Sequence, residues 1–211
     1  IAAGASVLAV CPSARSFAAS QIPVKENKLT PGSPAKVCLS GIKKGAEENK
    51  IKLAVRSSAE AATDFSWLCK GDSIFIKPVV NSGNPYPATT SPIAIAAMVE
   101  LLREKGAGRV IVGDMSGVQS VRFTSSSLSG SSRKLMESSG MAKVIQAAGA
   151  ELHFFEESGW DSFYEDVPTT RAYWKRPLMM PNILKEVQHI VLMPRCARHV
   201  LAGSTLGLKA A

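Results

Sequence analysis

Apolar positions along this chain gather into short continuous runs, separated by polar, proline- and glycine-rich stretches and by segments with helical spacing. Ser73-Ile74-Phe75-Ile76-Lys77 follows the turn signal Lys70-Gly71-Asp72 and is closed by Pro78. Such a β-branched and aromatic run suits a buried strand. Ser91-Pro92 then opens a helix, with a hydroxyl cap and proline at the first helical position. Ile95, Met98, Val99 and Leu102 share one face of it, and Lys105-Gly106 ends it where glycine accepts a left-handed cap. Arg109-Val110-Ile111-Val112-Gly113 is the next strand, which makes a βαβ unit with parallel strands and a right-handed crossover.

The same pattern predicts a strand over residues 36–40, a helix over 51–65, a helix over 140–148, a strand over 151–155 and another over 189–193. Residues 114–132 read as a long serine- and glycine-rich loop. Residues 156–181 form an irregular excursion holding Trp160, Tyr164, Tyr173 and Trp174. A connection of that length is usually functional or covers something. No internal repeat is present. The expected fold is α/β, a doubly wound, mostly parallel sheet with Rossmann-like layering.

The two ends add a domain plan. Ala2 to Val10 is small and apolar, and Cys11-Pro12-Ser13-Ala14-Arg15-Ser16-Phe17-Ala18 follows. Residues 1–20 thus read as the back half of a secretory signal, with a small-x-small cleavage site near Ala18. Residues 21–34 read as a linker and 35–211 as the α/β domain. The apolar run is too short to span a bilayer. The chain opens on Ile1 rather than Met and stops at Ala211 in what reads as an uncapped helix, so more chain is expected at both ends. The expected location is exported, periplasmic or extracytoplasmic, with membrane association through the N-terminus if that segment is retained.

Composition narrows the partners. Of 211 residues, 45% are hydrophobic and 20% charged, which fits a globular protein with a core and argues against disorder. The formal charge of +8 favours anionic partners, but the basic residues are spread out and aromatics make up only 6%. Without a stacking platform beside a basic stripe, nucleic acid is not expected. The four cysteines include no Cys-x-x-Cys pair, so a zinc ribbon or a self-contained iron–sulfur site is not indicated. One disulfide remains open in an oxidising compartment, and the sequence leaves its pairing undecided.

Ligands of open parallel sheets bind beyond the carboxyl ends of the strands. Four segments lie there. Lys77 and Asn81 follow the first buried strand, with Thr90 and Ser91 before the helix; they suit an anion, although Lys77 can equally pair with a carboxylate and Ser91 simply cap. Asp114 follows the second strand and suits proton transfer or a turn. Arg195, Arg198 and His199, followed by Thr205 and Lys209, form the densest polar group in the chain. Arginine's planar fork matches carboxylate or phosphate, and His199 suits a general base. The fourth segment, Glu156-Glu157, reads as a solvated acidic edge. His153 and His189 read as structural, no metal ligand set is expected, and no Gly-x-Ser-x-Gly elbow or GxGxxG fingerprint occurs.

The order of these segments resembles the family known as domain of unknown function 362. The residues that carry the resemblance are Ile76-Lys77-Pro78, Thr89-Thr90-Ser91-Pro92, Gly106-Ala107-Gly108, Gly113-Asp114, Pro194-Arg195-Cys196-Ala197-Arg198-His199 and Thr205-Leu206-Gly207-Leu208-Lys209. The resemblance covers about Ala35 to Ala211 and implies the α/β fold, with this chain as the N-terminal part of a longer family domain. It implies no activity or cofactor, since none is established for the family, although some relatives carry ferredoxin-like cluster domains. Val79 stands where the family has Asn, and Ser91 where it has Asp. Arg195 and Arg198 stand where it has lysines, which keeps the charge but disfavours imine chemistry.

Two functions are expected from this. The first is an exported protein that binds, and in one version transforms, a small carboxylate or phosphate, with catalytic roles for His199 and Asp114. The alternative is an accessory subunit of a larger extracytoplasmic, redox-linked assembly, whose protein partner would use the aromatic excursion.

Overall fold

The structure is a computed structural model. It describes residues 37–167, 176–199, 203–205 and 207. The signal-like segment and linker over residues 1–34, Tyr173 and Trp174 of the excursion, Lys209, and most of the terminal helix reading lie outside the described residues.

Four parallel strands make the central sheet: β1 (Ser73–Lys77), β2 (Arg109–Asp114), β5 (Glu151–Phe154) and β8 (His189–Leu192). Their spatial order is β5-β2-β1-β8. Phe75 lies beside Ile111 on one side and Ile190 on the other. Helix α1 (Glu48–Ala62) precedes β1, and α2 (Pro92–Glu104) joins β1 to β2; a short antiparallel pair, β3 (Arg122–Phe123) with β4 (Leu128–Ser129), then α3 (Ser132–Ser138) and α4 (Met141–Ala147) lie between β2 and β5. This is an α/β fold around a parallel sheet. The chain steps outward from β1 to β2 to β5, then returns to the far side of β1 for β8, so the strand order reverses at β1. That reversal opens a crevice above the carboxyl ends of the strands.

Both faces of β1 and β2 are buried, which is why their sequences run apolar without alternation. Ile74, Ile76, Val110 and Val112 pack with Ile95, Val99 and Leu102 of α2 and with Met141 and Ile145 of α4. Phe75 and Ile111, on the opposite face, pack with Phe155 and Ile183. Phe163 of the excursion packs against this group, so the excursion contributes to the cover of the second face. Within it β6 (Phe163–Asp166) and β7 (Leu178–Pro181) pair antiparallel, and α5 (Ile183–Glu186) follows. Trp160 stacks on Phe163 beside Phe123, and the Lys185 ammonium lies 3.4 Å from the Tyr164 ring centre. The described aromatics of the excursion face their own chain.

The structure departs from or adds to the sequence reading at three places. Residues 37–40 form no strand: Leu39 is 93% exposed, and no strand among the described residues offers it a ladder. Helix α3 starts at the end of the serine-rich loop and fills a stretch to which the sequence reading gave no element: Ser131 caps it by accepting from Lys134 N at 3.2 Å, while Met136 inserts into the core. The polar segment after β8 holds a small antiparallel ladder, β9 (Ala197–His199) with β10 (Gly203–Thr205).

Candidate functional site

Lys77 and Asp114 end adjacent strands, so backbone pairing alone brings their side chains together. Lys77 Nζ lies 3.1 Å from Asp114 Oδ1, with the aspartate side chain only 8% exposed. Asp114 Oδ2 accepts from Val80 N at 3.0 Å. Burial pushes the Asp114 carboxyl above the ordinary carboxylate range, against the opposing pull of the Lys77 ammonium and the Val80 amide. Ser116 Oγ donates to Val80 O, and Ser116 N donates to Ser132 Oγ at 2.9 Å. Both polar backbone groups of Val80 are thus held by the end of β2. This clamp holds the start of the β1–α2 loop over the strand ends and sets Asn81 beside them.

Gly113, next to Asp114, permits the approach of β5. A Cβ at Gly113 would lie 2.2 Å from His153 O and 3.0 Å from the Phe75 ring. No other residue fits there without moving a strand.

A cavity of about 800 Å³ opens above this pair. Lys77, Val79, Val80 and Asn81 line it from the end of β1, and Asp114, Met115 and Gly117 to Ser120 from the end of β2. Arg198, His199 and Thr205 line it from the β9–β10 ladder. Six of the ten expected site residues therefore share one cavity: Lys77, Asn81, Asp114, Arg198, His199 and Thr205. Among the described residues Arg198 makes no salt bridge, and it is exposed.

The remaining four divide as follows. Thr90 is buried and acts as a clip: its Oγ1 accepts from Val79 N at 2.9 Å and donates to Met193 O at 2.9 Å, joining the β1–α2 loop to the end of β8. Ser91 caps α2, accepting from Ala94 N at 3.4 Å. Neither lines the cavity, and neither does Arg195, in the segment between β8 and β9. Lys209 lies outside the described residues.

The Glu156-Glu157 reading is half corrected. Glu157 stays at the surface, paired with Arg133 at 2.7 Å. Glu156 is 2% exposed, and its Oε1 accepts from the buried amide of Ser132 at 2.6 Å. An unmade bond at that buried amide would be costly, and the carboxylate supplies it. His153 packs edge-on against Phe75 and Phe155, and burial lowers its pKa, so the neutral ring is favoured. His189 Nε2 meets Asp72 Oδ2 at 2.8 Å. Among the described residues no group of three metal-ligating side chains gathers.

Sequence reasoning missed Met115, Val118, Gln119 and Ser120 as cavity walls. The only signal was the length of the loop after Asp114. A larger cavity, about 920 Å³, lies between α1 and α2, but its charged lining is limited to Lys43 and Lys44.

The fold and site define an α/β protein with a mixed polar and apolar cavity at the strand-order reversal. The chain belongs to the family described as Domain of unknown function (DUF362), whose model matches residues 74–211. The match begins at β1 rather than near Ala35. No curated protein and no solved structure matches the chain.

Proposed function

We propose that this protein binds a small carboxylate or phosphate compound in the strand-end cavity. The observation that carries this reading is that Lys77 and Arg198, far apart in sequence, line the same 800 Å³ space. Lys77 is tethered by Asp114, so Arg198 supplies the uncompensated charge and the bidentate fork. Asn81 and Thr205 stand on the walls as hydrogen-bond donors to the ligand. If the ligand is transformed, His199 and Asp114 are the groups that would move protons, Asp114 because burial raises its carboxyl above the ordinary carboxylate range.

Isothermal titration calorimetry of the whole chain against acetate, phosphate and longer anions tests this. Arg198→Ala should weaken binding at least about tenfold, the usual scale for a lost charge-assisted contact. Arg195→Ala, outside the cavity, should leave binding near wild type. Undiminished affinity in Arg198→Ala would refute the assignment.

Export is a second part of the proposal. It is supported by the small, apolar segment Ala2 to Val10 and the small residues around Ala18. Among the described residues no helix is long and apolar enough to cross a membrane. Fusing the reading frame from its start codon through residue 34 to a reporter that matures only outside the cytoplasm tests export; an inactive reporter would refute it.

A further inference from the structure

We propose that the anion taken by the strand-end cavity carries a single negative charge and an apolar body. This rests on the anion-binding reading above and narrows it to a class of ligand.

The charge follows from the described side chains lining the space. Lys77 and Asp114 meet at 3.1 Å and cancel one another, which leaves Arg198 as the one charged side chain without a counter-ion there. A monoanion at Arg198 makes the site neutral. A dianion must also draw on Lys77, and so compete with the buried carboxylate that already holds it. Asp114 faces Lys77 from β1 and the Val80 amide from the β1–α2 loop, with Arg198 and His199 across the cavity on β9. Its β5 neighbour is the apolar Phe154. No further described cation lines the cavity to balance a second negative charge, and an unbalanced charge beside a desolvated carboxylate is strongly penalised.

The apolar body follows from the remaining walls. A carboxylate or phosphate group alone fills a small part of 800 Å³. Val79, Val80 and Met115 line the space beside the polar groups. Val118 stands on its lip with 77% of its surface exposed, between Gly117 and Gln119. A hydrocarbon body lying from Met115 to Val118 would remove that surface from water.

Calorimetry at about pH 8 with acetate, hexanoate, hexanesulfonate, hexyl phosphate and hexanol decides the matter; at that pH the alkyl phosphate is a dianion. Hexanoate should bind more tightly than acetate, by up to about fourfold for each methylene that is fully buried. Hexanesulfonate should bind well, and hexyl phosphate at least about tenfold more weakly than the sulfonate, a gap of the size expected for one uncompensated charge. The gap should close at about pH 5, where the phosphate becomes a monoanion, and should close at that pH in a His199→Gln protein too, so that the closure is the ligand's and not the histidine's. Asp114→Asn should raise affinity for hexyl phosphate at about pH 8 without raising it for the sulfonate. Val118→Ser, on an exposed loop, should weaken hexanoate and leave acetate unchanged. Equal affinity for acetate and hexanoate, or for sulfonate and phosphate at about pH 8, would overturn this inference while the anion reading stands. Binding of hexanol as tightly as hexanoate, or no binding by any anion, would overturn both.

Discussion

Replacing Lys77 with methionine isolates the electrostatics of the site, because methionine retains much of the hydrocarbon stem while removing the ammonium 3.1 Å from Asp114. In the wild type, burial already raises the Asp114 carboxyl despite Lys77. Without Lys77 the same burial acts unopposed by the nearest cation, and the folded-state pKa rises further. The sign of the pH dependence follows from linkage. A carboxyl whose folded pKa exceeds its unfolded value of about 3.9 contributes its stability in full below that value and loses it as pH rises through the folded pKa. Lys77→Met should therefore differ least from wild type at the acid end of the range, where protonation of Asp114 removes the charge that Lys77 balances. Its deficit should then grow with pH by up to about 1.4 kcal/mol per unit and level off above the new pKa. Breaking a buried pair costs about 3–5 kcal/mol. The Lys77 side chain is 23% exposed, so solvent screening places the expected plateau near the low end, about 3 kcal/mol. Adding Asp114→Asn to Lys77→Met should recover most of the loss, since the amide can still accept from Val80 N and carries no charge. Urea unfolding followed by tryptophan fluorescence, at steps from about pH 4 to pH 8, measures all three proteins. A deficit independent of pH, or a double variant as unstable as the single one, would show that the pair does not couple as described.

The contrasting exposed pair, Arg109–Glu151 at 2.6 Å, should matter little: Arg109→Ala is expected to cost no more than about 1 kcal/mol, with the difference shrinking in salt. Gly113→Ala should destabilise by about 3 kcal/mol through overpacking, read as a fall of roughly 10 °C in Tm, because its Cβ meets His153 O at 2.2 Å. Thr90→Val removes the partner of Val79 N and of Met193 O and should cost about 1–3 kcal/mol. Its anion affinity should be unchanged; a loss of affinity at full stability would return Thr90 to the binding site.

Much of the sheet could be read directly from local chemistry. The runs Ser73 to Lys77 and Arg109 to Gly113 became strands because an apolar β-branched stretch of that length, ended by Pro or Gly, has few other ways to bury itself. Ser91-Pro92 and Gly106 bracket α2 for equally local reasons, since a cap and a break each involve only neighbouring residues. The amino acids that gather at the site were also visible as polar residues just beyond strand ends. Which of them meet was decided by pairing across the fold. Lys77 reaches Asp114 because β1 lies beside β2, and Arg198 joins them because the strand order reverses at β1 and brings the segment after β8 back over the same end. Thr90 was drawn out of the candidate site by Met193 O, an acceptor more than a hundred positions away. Glu156, polar and unremarkable in sequence, was buried because an amide at the start of α3 required an acceptor. Local segments carry propensity and caps, but ion pairing and burial depend on distances between residues remote in the chain, and those distances exist only once the sheet has assembled.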